Sequence, residues 1–87
     1  MMKTERSTMT LTLGEYRVGI NFNPGGNQRV NEIKRAAADL IDLVNTIDIR
    51  ADETGGEVAR LKALAMTDIE TAAMHAVKAV TKPPRDA

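Results

Sequence analysis

Cysteine is absent from this 87-residue chain, so no disulfide braces it. Tryptophan is absent as well; histidine and serine occur once each, as His75 and Ser7, and the aromatics are Tyr16 and Phe22 alone. These shortages exclude chemistry. A Cys/His zinc cluster lacks its ligands. A Ser/His/Asp or cysteine nucleophile cannot be assembled, and the only serine lies in a polar N-terminal stretch. Charge of one sign is not in excess either, since twelve basic residues face twelve acidic ones. Polyanion binding draws on a surplus of positive charge, so DNA or RNA is disfavoured as a partner. No apolar run approaches the roughly 20 residues that span a bilayer. Met1 to Thr10 carries Lys3, Glu5 and Arg6 and has no apolar core of a signal peptide. A protein that stays soluble inside the cell is the expectation.

What is present is helical. From Gln28 to about Arg50, Val30, Ile33, Ala37, Leu40, Ile41, Val44 and Ile47 recur at three- and four-residue steps and make one apolar stripe. Asn27 stands where an N-cap would accept a first-turn amide. Ala51 to Gly56 breaks the pattern, and Thr54 with Glu57 has capping-box spacing. A second helix is expected from about Glu57 to Thr81, with Val58, Leu61, Ala65, Ile69, Ala72, Ala76 and Val80 as its stripe and an end imposed by Pro83. The linker is short, so the two helices fold back antiparallel.

The flanks read differently. Met1 to Thr10 is polar and expected to fray. Leu11 to Phe22 alternates loosely with period two and reads as extended or a short strand, and the fold expected is a helical hairpin with a short N-terminal segment that is either extended or helical. Asn23-Pro24-Gly25-Gly26-Asn27 follows, five turn-formers in a row. The organisation expected is a flexible segment 1–16, one hairpin domain 17–82 and a tail 83–87. Alanine makes up much of both stripes and buries little area per residue. Two such helices alone do not offset the ordering of their backbones, which costs about 1–2 kcal/mol per residue. With disulfides and metal clusters excluded, self-association is the remaining source of stability.

An antiparallel hairpin sets the start of its first helix beside the end of its second. Asn27 to Lys34 then lie near Lys78 and Lys82, with Arg17 and Arg29 on the flanks. Unpaired first-turn amides, the glycines Gly25 and Gly26 and these cations make a candidate anion site, and Phe22 stands ready to stack on a base. The same residues have plainer uses. Lysines suit a helix C-terminus, a Pro-Gly-Gly-Asn loop serves as a turn before a cap, and Phe22 can plug the open end of the hairpin. The loop is not a Walker sequence, because its Gly-Lys-Ser/Thr ending is missing. His75 reads as packing or surface. Asp39 and Asp42, then Asp68 and Glu70, read as solvated faces or as partners for lysines of neighbouring subunits, without the Glu-x-x-His pattern of a di-metal bundle. Met66 and Met74 read as core filler.

Two blocks carry a family likeness. The first is Arg17-Val18-Gly19-Ile20-Asn21-Phe22-Asn23-Pro24-Gly25-Gly26-Asn27 with Val30-Asn31-Glu32-Ile33-Lys34 and Ala38-Asp39-Leu40-Ile41-Asp42. The second is Arg60 to Thr67 with Glu70 to Pro83. Together they resemble the phage anti-CBASS cyclic-oligonucleotide sponges, whose helical hairpin is shared with the Thoeris anti-defence sponges. The resemblance implies an all-α homohexamer that takes up cyclic di- and trinucleotide immune signals between protomers. It does so without hydrolysis and without a cofactor, in the cytoplasm of the infected host. It also implies Phe22 as the stacking residue, Lys34 as a phosphate contact, and Asn23, Gly25, Gly26 and Asn27 as sources of amides and side-chain hydrogen bonds. Arg17, Thr81 and Lys82 are implied as further contacts. His75 stands where the family commonly has tryptophan, and the additional N-terminal sheet of the Thoeris branch has no counterpart in the sequence. The rival expectation is a structural hairpin that docks a protein partner through a helix face.

Overall fold

The computed structural model describes residues 10–86. The fraying expected of Met1 to Thr10 therefore lies, Thr10 excepted, outside the described residues. Three helices follow one another: α1 Leu13–Val18, α2 Gln28–Asn45 and α3 Gly55–Thr81. There is no strand among the described residues, and the fold is all-helical.

Of the extended and helical alternatives expected for this segment, α1 shows the helical one. Thr12-Leu13-Gly14-Glu15 is a complete capping box: the Glu15 amide donates to Thr12 Oγ1 at 3.1 Å, and the Thr12 amide donates to a Glu15 carboxylate oxygen at 2.9 Å. These two bonds satisfy donors that a strand would have left to a partner strand, and none is present among the described residues. The helix stops at Gly19, whose φ of 65° lies in the left-handed region. The Ile20 amide reaches back to the Glu15 carbonyl and the Gly19 amide to that of Tyr16, the Schellman pattern. α1 runs across the boundary drawn between residues 16 and 17.

α2 and α3 form the antiparallel hairpin, about 27 and 40 Å long at 1.5 Å per residue. Asn27 is the N-cap expected of it, accepting from the Arg29 and Val30 amides at 2.8 and 3.1 Å. α2 ends at Asn45, five residues short of the expected Arg50, where Asn45, Thr46 and Asp48 favour turn over helix. α3 begins two residues earlier than expected. The capping box expected there does not form: the Thr54 hydroxyl donates to Asp52, while Glu57 pairs with Arg60.

α1 lies across α2 and touches α3. Its Gly14 amide donates to Asp42 Oδ1 at 2.7 Å. Glu15 pairs with Arg35 and Arg17 with Glu70, each at 2.9 Å. Asp42 is thus a brace for α1 rather than a solvated carboxylate, and Glu70 has its partner within its own chain. This packing turns the buried side of α2 onto Val30, Lys34, Ala38 and Ile41, away from the centre of the sequence stripe. On α3, Met66 is buried as expected of core filler. Met74 is not: it is 62% exposed.

The core is correspondingly thin. Val30, Ala38, Ile41, Met66 and Ala73 are its buried apolar residues, whereas Leu40, Leu43, Ile47, Leu61 and Leu64 stand exposed. The molecule measures only 15 Å in its shortest dimension, little more than the diameter of one helix with its side chains. α2 packs against both α1 and α3, and the remaining faces of the hairpin look outward.

Candidate functional site

At one pole of the hairpin the α1–α2 loop folds over the start of α2 and the end of α3. The loop is held by asparagines at four-residue steps. The Gly26 amide closes a turn on the Asn23 carbonyl at 3.0 Å, with Pro24 at the second position, as suits a type I turn. The Asn23 side chain accepts from the Asn27 amide at 3.2 Å and donates to the Asn27 carbonyl and to Asn31 Oδ1, each at 2.8 Å. Gly26 carries a φ of 60°, which a side chain would resist. The loop and first turn of α2 are therefore mostly satisfied internally. The amides of Asn23, Gly25 and Gln28 have no protein acceptor among the described residues.

Lys34 lies underneath. It is only 7% exposed, and its ammonium donates to the Gly19 carbonyl at 2.9 Å and to the Phe22 carbonyl. The Nζ sits 5.4 Å from the centroid of the Phe22 ring. Among the described residues no carboxylate pairs with it, in contrast to Arg17, Arg29, Arg35, Arg50 and Arg60. Carbonyl dipoles hold the charge without neutralising it, and a buried charge without a counter-ion is costly. Phe22 itself is 71% exposed, so much of its ring remains open.

Beside these residues is a cleft of about 430 Å³. Phe22, Asn23, Pro24, Gly25 and Asn27 form its loop wall, Val30 and Lys34 its α2 wall, and Val77 and Thr81 its α3 wall. Six of the nine residues expected at the site thus come together: Phe22, Asn23, Gly25, Asn27, Lys34 and Thr81. Thr81 spends its hydroxyl proton on the Val77 carbonyl at 2.9 Å, which leaves oxygen lone pairs for a donor. Gly26 shapes the turn without lining the cleft. Lys82 follows α3 as its C-cap, is exposed, and lines no part of the cleft; Lys78 is exposed too. Arg29 pairs with Glu32 at 3.3 Å on the surface. Arg17 lines a neighbouring cleft of about 230 Å³ that shares Lys34 and Val77 with the first.

Sequence reasoning missed Asn31, which fastens the loop, and Val30 and Val77, which give the cleft its apolar floor. The Asn23, Asn27, Asn31 spacing was a readable signal. The two valines were not, because an apolar stripe does not say which of its members face a cleft. His75 is exposed on α3. No group of three residues suited to hold a metal ion occurs among the described residues. No helix among them is long and apolar enough to cross a membrane.

A helical hairpin braced by a short capped helix, with a cationic cleft at its open pole, defines a small binding protein. The match to known families gives the class its name. The Acb2/Tad1 hairpin domain family matches residues 15–81, from within α1 to the last residue of α3, and the chain belongs to that family. It is the family of anti-CBASS and anti-Thoeris sponges, binding proteins that fit a role in phage anti-defence. Comparison with curated proteins and with solved structures gives no match.

Proposed function

We propose that this protein binds cyclic di- and trinucleotide immune signals and sequesters them intact, blocking CBASS-type immunity in the cytoplasm of the infected host. The observation that carries the reading is the Lys34 ammonium, buried without a carboxylate partner among the described residues and below the open ring of Phe22. Such a charge favours an anion, and the ring offers a stacking surface worth about 1–3 kcal/mol per base. The free amides of Asn23, Gly25 and Gln28 and the Nδ2 of Asn27 are further donors to phosphate or base. The ligand-binding domain on this reading is residues 17–82, with 83–87 as a tail. Net charge of zero fits a small ring better than a polymer. The mechanism is mass action: tight binding lowers the free signal, and no reaction is needed.

The hairpin does this as a homo-oligomer, a hexamer on the family pattern. Ile33, Ala36, Leu40, Ile69, Ala72 and Ala76 line an apolar groove on the hairpin, and its neighbour Leu43 is 65% exposed. A second copy covering that face would supply the burial that the thin core lacks. The same groove supports a second reading, a hairpin that docks a different protein.

Calorimetric titration with cyclic di-AMP, cyclic di-GMP, cyclic GMP–AMP and cyclic tri-AMP tests the first reading. Micromolar or tighter binding of at least one is expected, with a Phe22→Ala loss of about 5- to 150-fold, the equivalent of one stacked base. Chromatography after heating the complex should return the ligand unchanged. Indifference to all four rings, together with a monomeric mass by light scattering, rejects both sequestration and the oligomer.

A further inference from the structure

We propose that Asn31 is a positioning residue: it touches no ligand itself and fixes the loop that presents Phe22 and the free amides to the cyclic nucleotide. The inference rests on the sequestration reading and deepens it. It holds whether the ligand lies against one protomer or between copies, because the same loop is presented in either case.

The loop is pinned to α2 at two points. Lys34 Nζ donates to the Phe22 carbonyl, and Asn31 Oδ1 accepts from Asn23 Nδ2 at 2.8 Å. The pins are three residues apart on α2 and so rise from one side of it. Everything else that holds the turn 23–26 is local. The Gly26 amide closes on the Asn23 carbonyl, and the remaining side-chain bonds of Asn23 go to Asn27, the N-cap. Among the described residues, the Asn31 bond is therefore the only hydrogen bond that ties this turn to the body of α2.

Asn31 stands outside the site it serves. Its side chain is exposed and lines a separate groove with Ile20, Gln28 and Arg35, whereas Phe22, Asn23 and Gly25 line the cleft. Its own backbone is fixed, since its amide donates to the Asn27 carbonyl at 3.2 Å in the first turn of the helix. A rigid acceptor thus sets the attitude of Asn23, and with it the direction of the Asn23 and Gly25 amides and of the adjoining Phe22 ring. Without that acceptor the turn can swing about the cap. A loop that is competent only part of the time lowers the apparent affinity by that fraction.

The test sets Asn31→Ala against Asn31→Asp in the full-length protein. Alanine removes the acceptor. Aspartate keeps it and adds a charge that suits the start of a helix. Arg35, one turn on, is already engaged by Glu15 and Asp39, so the new carboxylate stays available to Asn23. Amide exchange with solvent, read by NMR on the ligand-free protein, should quicken at Gly26 and Asn27 about 2- to 12-fold in Asn31→Ala, the net worth of one hydrogen bond. It should stay at the parent rate in Asn31→Asp. Affinity for the tightest binder among cyclic di-AMP, cyclic di-GMP, cyclic GMP–AMP and cyclic tri-AMP should fall by the same factor in Asn31→Ala and stay within about twofold of the parent in Asn31→Asp. The urea midpoint of Asn31→Ala should match or exceed that of the parent, because alanine is the better helix former. A midpoint well below it makes Asn31 a general stabiliser and overturns the proposal, as does unchanged exchange at Gly26 and Asn27. Weaker binding by Asn31→Asp than by Asn31→Ala makes Asn31 a ligand contact and overturns it too. If Asn31→Ala binds as the parent does while Phe22→Ala is weakened, the positioning role falls and the sequestration reading stands. If none of the four cyclic nucleotides binds, both fall together.

Discussion

Gly14 is where the backbone of α1 rests on α2, and replacing it should undo that contact. A Cβ at this position would lie 2.1 Å from the Ala38 carbonyl oxygen and 2.8 Å from Asp42 Oδ1. Ordinary contact needs well over an ångström more, and the nearest obstacle is backbone, which cannot swing aside. α1 must lift. Overpacking of this kind costs about 1–3 kcal/mol. Loss of the 2.7 Å bond from the Gly14 amide to the Asp42 carboxylate adds about 1.5–3 kcal/mol. The intrinsic preference of helices for alanine returns about 0.5–1 kcal/mol. The net for Gly14→Ala is a destabilisation of about 2–5 kcal/mol. With a urea slope near 2 kcal/mol/M, the unfolding midpoint should fall by about 1–2.5 M. Parent and variant are compared at one protomer concentration, because oligomers gain apparent stability by mass action. Gly25→Ala is the control: no atom lies within 4 Å of its Cβ and its φ is not positive, so a change between zero and a gain of about 1 kcal/mol is expected. A Gly14→Ala midpoint matching that of the parent would refute the close contact. The lift also carries Gly19 away from Lys34, so ligand affinity should fall along with stability.

Three further outcomes follow from the same geometry. Gly26→Ala, unlike its neighbour, should cost about 1–2 kcal/mol in the same urea titration, because φ is 60° there. Asn27→Ala should cost about 1 kcal/mol by removing the cap on the Arg29 and Val30 amides, read as lost helicity by circular dichroism during thermal melts. The Glu15 carboxyl is held below its ordinary 4.5, first by the Thr12 amide and then by Arg35. A depressed folded-state value means the stabilisation is complete above 4.5 and lost as pH falls through the lower folded value. Glu15→Gln should therefore be less stable than the parent at pH 7 and lose less on acidification below 4.5, as melts at stepped pH would register. Equal acid sensitivity in both proteins would count against the cap.

Much of the hairpin was readable because helix signals are local. The three- and four-residue recurrence of apolar residues, the Asn27 cap and the proline after Thr81 each act within a turn or two; the cap and the final stop stand where the sequence placed them, while α2 ends before Ile47, the last member of its stripe. At the N-terminal segment the alternation left extended and helical both open. Leu11, Leu13, Val18 and Ile20 suggest period two, but Thr12 and Glu15 form a capping box whose hydrogen bonds decide the matter. The same spacing at Thr54 and Glu57 forms no box, because Asp52 and Arg60 compete for the two side chains. Spacing names possible partners, and the neighbours present settle which of them pair.

The amino-acid sequence by itself determined that this protein is helical, that its two long helices turn back at a short break, which it put at 51–56 and the structure puts at 46–54, and that a glycine-rich loop stands before a capped helix beside the end of another. It also determined that the chain has no disulfide and too little large apolar side chain to bury a deep core alone. Only the tertiary structure decided which side of each helix is inside, and with it that Lys34 is buried while Met74 is exposed. The reason is geometric. α1 and the loop after it contribute a backbone glycine, an arginine and two carbonyl acceptors to surfaces up to 53 residues away along the chain, and no local pattern in α2 or α3 records that a third element will lie across them.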